Sequence, residues 1–311
     1  DIICHGVILP LALVNSSNCT ITNLSIDFAN PHISQIEIIE SSDKGIVFRP
    51  ASEVKYKIDN HRFVSTGEGW ERRPNYGMCF EKSTHHILYN TSDTWCGVDS
   101  VIKLKNGDLY APKWTNSMLV PGTQVTLRTW DRPAPALFLS ENKNTVLSNV
   151  TVHYAEGMGL LAQLCENITL DHFQVAIRKD SGRYFTTQAD ATHFSGCKGK
   201  IMSVNGLYEN MMDDAINVHG TYLKVKEKID ATTVVAQYMH DQTYGMPWGW
   251  TGDSVLVVNS ATMDYQPATF VIKEISTLSP KEFKITFTSP LPDNLDIQQG
   301  IGLENISWTP S

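Results

Sequence analysis

Asn144 to Tyr154 reads NTVLSNVTVHY, and 22 residues further on Glu166 to Ala176, ENITLDHFQVA, repeats its shape. Each stretch opens on an Asn-marked turn and continues with β-branched residues alternating with polar ones, the period-two mark of a strand with one buried face. Asn18 to Phe28 (NCTITNLSIDF) and Lys198 to Glu209 (KGKIMSVNGLYE) carry the same pattern, the latter about 32 residues beyond ENITLDHFQVA. Turns and strands recurring every roughly 20 to 35 residues, with no long helical pattern between them, predict an all-β chain built as a parallel β-helix, its coils stacked along one axis. The surplus residues of the last interval fall in a loop containing RKDSGRYF, Arg178 to Phe185.

Two long segments interrupt the repeat. From Gln35 to about Trp130 the chain reads as hairpins (IEII, GIVFRP, YKIDNHRF, VIKLKNGDLYAP, QVTLRTW), with Asn106-Gly107-Asp108 as a tight turn. Tyr222 to about Gln299 reads the same way (YLKVKEK, TTVVAQY, DSVLVVN, ATFVIKEI, EFKITFTS). Both predict antiparallel insertions folded as small barrels. The resulting division is coil over 1–34, a first inserted subdomain over 35–131, coils carrying the site over 132–221, a second inserted barrel over 222–299, and a return to coil over 300–311 through GLENISWTP. Pro133, Pro135 and the turn residues from Pro290 to Asn294 mark the re-entry points.

Composition narrows the function classes. Against 33 acidic residues stand 25 basic ones, and this net charge of −8 argues against a nucleic-acid binder. No apolar run reaches the roughly 18 residues that span a bilayer; the early run Val7 to Val14 is broken by Pro10 and reads as a buried strand. The sequence begins at Asp1, so its start, including any secretory leader, is expected to be missing. Six dispersed cysteines show no CxxC pair and no zinc-finger spacing, and are expected as buried thiols. Seven N-x-S/T sequons occur, five in or beside the proposed coil strands, where an Asn turn followed by Thr or Ser on the strand generates them without glycosylation.

The densest chemistry lies between Thr186 and Thr221, TTQADATHFSGCKGKIMSVNGLYENMMDDAINVHGT. Asp190 and the pair Asp213-Asp214 are 23 residues apart, about one coil, and adjacent coils place such residues side by side roughly 4.8 Å apart. If Ile216 and Val218 point inward, Asp213, Asn217 and His219 point outward; Asp214 has the wrong parity unless the chain bends there. Crowded carboxylates keep one protonated beside ionised neighbours, the requirement for hydrolysing a glycosidic bond. The alternating acidic ladder of a calcium loop is absent, which argues against a calcium site as the use of these carboxylates.

ADATHFSGCKG and MMDDAINVHGTYLKV, with the early HGVILP and NCTITNLSIDF, resemble glycoside hydrolase family one hundred and ten, the bacterial exo-α-1,3-galactosidases, from His5 to Trp308. The resemblance implies a right-handed parallel β-helix bearing β-barrel subdomains and a secreted or periplasmic enzyme. It would remove terminal α-1,3-linked galactose from blood-group B or linear glycans, inverting the anomeric centre without metal or other cofactor. It also implies Asp190, Asp213 and Asp214 as the catalytic set, with Asp213 as general acid and Asp190 and Asp214 on the attacking water by analogy with inverting polygalacturonases. His193, Asn217 and His219 are proposed sugar-hydroxyl contacts. The expected partner is a glycan ending in α-galactose; the projecting barrels are candidate contacts for a homo-oligomer.

Two other readings stay open on the residues. A polygalacturonase-like or sulfated-galactan hydrolase would use a similar Asp trio, with Arg178, Lys179 and Arg183 meeting an acidic substrate. A non-catalytic carbohydrate-binding adhesin could stack sugars on Trp248 and Trp250, residues that equally suit a barrel core or a lid.

Overall fold

Left-handed residues set the frame of the parallel strands. In the computed structural model, which describes residues 1–311 apart from 92, 294, 296 and the side chain of 299, Asn18, Asn144 and Asn167 have φ of 56°, 55° and 58°. Asparagine tolerates this conformation because its short polar side chain bonds locally. The three stand in a column: Asn144 Nδ2 donates to Asn18 Oδ1 at 3.0 Å, Asn167 Nδ2 donates to Asn144 Oδ1 at 3.0 Å, and the Lys200 N–H caps Asn167 Oδ1 at 2.9 Å. A second left-handed column runs through Asn23, Asn149, His172 and Asn205. Of the sequon asparagines, Asn15, Asn18, Asn23, Asn90, Asn149 and Asn167 are left-handed, so in all but Asn305 the sequon coincides with a turn conformation.

Between these turns the chain lays down two parallel sheets. One contains Ile2–Cys4, Thr20–Phe28, Lys143–Val152, Glu166–Asp171 and Lys198–Val204, extended by Gln174–Val175 and Leu207–Tyr208; the other contains Leu11–Val14, Leu137–Ser140, Leu160–Gln163, Thr192–Ser195 and Ile216–His219. Leu137 lies opposite Leu160, Leu160 opposite Thr192 and Thr192 opposite Ile216, spacings of 23, 32 and 24 residues. One inward ladder runs Leu13, Leu139, Ala162, Phe194, Val218. Its middle members are buried, whereas Val218 and its neighbour Ile216, on the outermost strand, are 45% and 49% exposed. Val7 to Val14 also differs from expectation: only Leu11–Val14 is a strand, it sits at the opposite edge of the sheet, and Val7, Ile8, Leu9 and Val14 face solvent.

The first interruption forms a seven-stranded antiparallel sheet and a separate three-stranded one, Tyr56–Asp59, Arg62–Gly67 and Trp70–Arg72. The larger sheet ends on two short strands, Thr94–Trp95 and Ile102–Lys103, which do not pair, so it stays open where a small barrel was expected. The Asn106-Gly107-Asp108 turn joins a hairpin as anticipated, with Gly107 at φ 94° and Asn106 Oδ1 accepting from the Asp108 N–H at 3.1 Å. The second interruption is a closed six-stranded barrel. Its last member is Ile301–Asn305, between Leu223–Lys228 and Ser254–Asn259. GLENISWTP therefore begins inside the barrel instead of in a coil, because Leu303 is needed in the barrel core; the chain rejoins the parallel sheet only at Pro310 and Ser311, beside Gly199. Asn294, within the expected re-entry cluster, lies outside the described residues.

Each unit has its own apolar core. The five buried cysteines and the partly buried Cys19 are all free thiols, as composition suggested. No helix is long and apolar enough to cross a membrane among the described residues.

Candidate active site

The two outermost strands of the second parallel sheet carry the candidate residues. Thr192–Ser195 pairs with Ile216–His219 so that His193 faces Asn217 and Ser195 faces His219. That 24-residue step puts Asp190 level with Asp214, not Asp213, and the Ala191 N–H donates to the Asp214 carbonyl at 2.8 Å. The strand begins only at Ile216, and the irregular backbone before it leaves both Asp213 and Asp214 exposed, which resolves the parity conflict by a bend. Asp190 is buried, 3% exposed.

One oxygen from each aspartate lies within 4.8 Å of the others. Each carboxylate is held by a different donor. His193 Nδ1 meets Asp190 Oδ2 at 2.6 Å, Arg132 Nη2 donates to Asp213 Oδ2 at 3.0 Å, and Asn217 Nδ2 donates to Asp214 Oδ2 at 2.9 Å. Fixing one oxygen leaves the second of each group for a ligand. Among the described residues this is the one cluster of three potential metal-binding side chains. The cation it meets is the Arg132 guanidinium, and no metal is assigned to it.

Asp190 and Asp213 of the cluster line a cavity of about 810 Å³. One wall is the parallel sheet; another is the barrel segment from Tyr238 to Met246, which brings His240, Asp241 and Tyr244 to the opening. Tyr222 and Tyr238 also border it, and burial pushes both phenols up, so they stay protonated. A half-open space of mixed polar and apolar lining beside three fixed carboxylates can orient a saccharide, protonate a leaving oxygen and activate a water.

Two family models match the interruptions, GLAA-B beta-barrel domain I over residues 34–125 and GLAA-B beta-barrel domain II over residues 233–300. The chain is 54% identical to an alpha-1,3-galactosidase B of Phocaeicola vulgatus over 100% of its own length and 53% of that protein's. It is 49% identical to an alpha-1,3-galactosidase B of Parabacteroides distasonis (100% and 52%) and 32% identical to an alpha-1,3-galactosidase A of Bacteroides fragilis (98% and 50%). The chain belongs to the alpha-1,3-galactosidase family. It spans about half the length of these relatives.

In this family member the structure brings all six sequence-predicted residues together: Asp190, His193, Asp213, Asn217 and His219 line the cavity, and Asp214 joins them through the carboxylate cluster. Three of them hold partners within the protein. Asn217 is bonded to Asp214, and both ring nitrogens of His193 and of His219 are engaged within the protein. Arg178 and Arg183 are removed from the site: they bind the buried Asp27 at 2.6 and 2.7 Å, so the cationic reading of that loop is a structural ion-pair network. Trp248 is buried in the barrel core with Nε1 donating to the Thr221 carbonyl, and Trp250 packs on Trp308 at 4.5 Å.

Sequence reasoning missed Arg132. It stands in WDRP, between the last strand of the first insertion and the re-entry prolines, and its guanidinium lies 5.6 Å from the Trp130 ring. The available signal was a cation placed where an insertion hands back to the parallel stack.

Proposed function

We propose that the protein is an exo-acting glycoside hydrolase that removes terminal α-1,3-linked galactose with inversion. The observation that carries this is the convergence of Asp190, Asp213 and Asp214 within 4.8 Å, each anchored by its own donor, with Asp190 and Asp213 in the wall of a saccharide-sized cavity. The names of relatives at 54% and 49% identity supply the sugar and the linkage. The frame is best understood as a right-handed parallel β-helix: strands of the two parallel sheets alternate along the chain, and parallel crossovers are right-handed in nearly all proteins. A secreted or periplasmic location goes with this reading, since the substrate is an extracellular glycan.

In the proposed mechanism Asp213 is the general acid. Its proton goes to the glycosidic oxygen, and Arg132 stabilises the carboxylate left behind. Asp190 and Asp214, level with each other on adjacent strands, share the attacking water. A water has two O–H groups, and two acceptors some 4 to 5 Å apart can each take one, which aligns the water and draws off its proton. Two-carboxylate inverting sites usually separate acid and base by about 6.5–9.5 Å to admit water between them. The trio is tighter because here the water sits against a pair on one side.

Released galactose from a panel of terminal α-1,3, α-1,4 and α-1,6 galactosides tests specificity, with turnover expected for the α-1,3 compounds. Proton NMR during the reaction should show β-galactose first; α-galactose as the initial product would sink inversion. Sugar binding that survives Asp→Asn at all three positions, with no monosaccharide released by the unaltered protein, would instead identify an adhesin.

A further inference from the structure

Three contacts run in series from the buried aspartate to the cavity rim. Asp190 Oδ2 meets His193 Nδ1 at 2.6 Å, His193 Nε2 meets His219 Nε2 at 2.8 Å, and His219 Nδ1 meets the Gly220 carbonyl at 2.8 Å. Each contact requires one hydrogen. A carbonyl only accepts, so His219 Nδ1 carries one. With Asp190 ionised, His193 Nδ1 carries another, and the nitrogen-to-nitrogen contact takes a third. Two neutral imidazoles supply only two.

We propose that His193 and His219 share one extra proton across their Nε2 atoms, and that this shared imidazolium is the counter-ion that keeps the buried Asp190 ionised and aimed at the attacking water. The two histidines are then positioning residues and do not bind the sugar. The role given to Asp190 rests on the hydrolase reading above; the hydrogen count does not. Three features support the charged state. A contact of 2.6 Å belongs with charge-assisted hydrogen bonds. Among the described residues Asp190 has no Lys or Arg ion-pair partner and is 3% exposed, and a buried carboxylate needs a paired charge. The titratable groups that share the cavity with the pair are Asp213 from the turn before the last strand, Arg132 from the re-entry segment, and Tyr222, Tyr238, His240, Asp241 and Tyr244 from the barrel side, with Asp214 beside them, bonded to Asn217, and Asp241 paired with Lys281. With Asp241 offset by Lys281 and Asp213 by Arg132, the carboxylates of Asp190 and Asp214 are left without a Lys or Arg among these groups, a negative surrounding that favours a cation.

The count is self-limiting. Removing the shared proton leaves three contacts with two hydrogens, and adding a fourth sets N–H against N–H. Either change frees the ring that holds Asp190, so activity should fall on both sides of a window set by the pair.

The test is nitrogen-15 NMR of the imidazoles near pH 7 without substrate. In the unaltered protein the two rings should together show one doubly protonated imidazole, localised or averaged. In Asp190→Asn both should be neutral, because the amide N–H can donate to His193 Nδ1. Two neutral rings in the unaltered protein would overturn the proposal. In kinetics, His193→Gln keeps a donor for Asp190 but no charge: kcat should fall about 10²-fold with KM within threefold and the alkaline limb of the kcat profile displaced. His219→Gln, which leaves His193 an acceptor, should displace that limb with a smaller loss. A tenfold rise in KM at unchanged kcat would mean sugar contact and refute the positioning role. Failure of the unaltered protein to hydrolyse any galactoside counts against the hydrolase reading alone, because the ring spectrum decides the shared charge by itself.

Discussion

At Arg132 one side chain ties the insertion's exit to the reaction centre. Its head group is 17% exposed and that of Asp213 is 42%, so solvent screens the pair and its contribution to stability is small, below about 1 kcal/mol. Its contribution to catalysis is larger, because it sets the position of the proposed acid. Arg132→Gln should lower kcat on α-1,3 galactosides by about 10- to 100-fold, with a urea midpoint close to that of the parent; a full-rate variant would remove Arg132 from the mechanism. Buried thiols contribute to alkaline behaviour, Cys79 among them. Burial pushes the Cys79 thiol up to about 11, whereas an unfolded cysteine titrates near about 8.5. The folded state thus retains a proton that the unfolded state has lost, so this contribution to stability is intact below about pH 8.5 and disappears by about pH 11. The loss across that window is on the order of 3 kcal/mol, at about 1.4 kcal/mol per unit. Urea unfolding at pH 8 and 10.5 should show a shallower decline for Cys79→Ala than for the parent.

Among elements, the asparagine column does most to define the parallel stack. Asn144 links Asn18 below to Asn167 above and holds φ 55°. Asn144→Gly should lose the hydrogen bonds but keep the backbone, costing about 1 kcal/mol. Asn144→Ala adds left-handed strain of a further 1–2 kcal/mol, so unfolding midpoints should fall in the order parent, Gly, Ala. Equal losses for the two variants would show that conformation is not what the column supplies. The same asparagines explain why the stack was legible from sequence: a residue suited to one turn recurs at most of the turns, with His172 and Gly199 taking its place at others, and its strand alternates beside it. What the sequence could not convey was register. The spacings of 23, 32 and 24 residues depend on how many residues each corner absorbs, and one residue of difference moved the partner of Asp190 from Asp213 to Asp214. The aspartate set was readable because it lies in two short motifs. The duties of His193, His219 and Arg132 were not, since each depends on a partner fixed by packing between rungs or between segments 81 residues apart.

The molecule as a whole builds its cavity from units that the sequence keeps separate. The last parallel strand ends at His219, and the first barrel strand begins at Leu223, so only three residues join the candidate catalytic rung to the barrel. Trp248 fastens this joint from inside the barrel through its bond to the Thr221 carbonyl at 2.7 Å. The link is short and pinned, and the segment from Met239 to Met246, just before Trp248, lines the same cavity as Asp190 and Asp213. Tyr244 is the large aromatic of that segment at the opening, 63% exposed, where the sugar bearing the terminal galactose would leave the cavity. An aromatic face presented there offers a platform to the acceptor sugar but none to the reacting bond. Tyr244→Ala should therefore raise KM for di- and trisaccharide α-1,3 galactosides by roughly 5- to 10-fold, a loss of about 1 kcal/mol of binding. The kcat for these substrates should change little, and turnover of a small aryl α-galactoside should be nearly unaffected. A parallel loss on the aryl compound would place Tyr244 against the galactose itself, and no loss on either would exclude the barrel segment from recognising the acceptor.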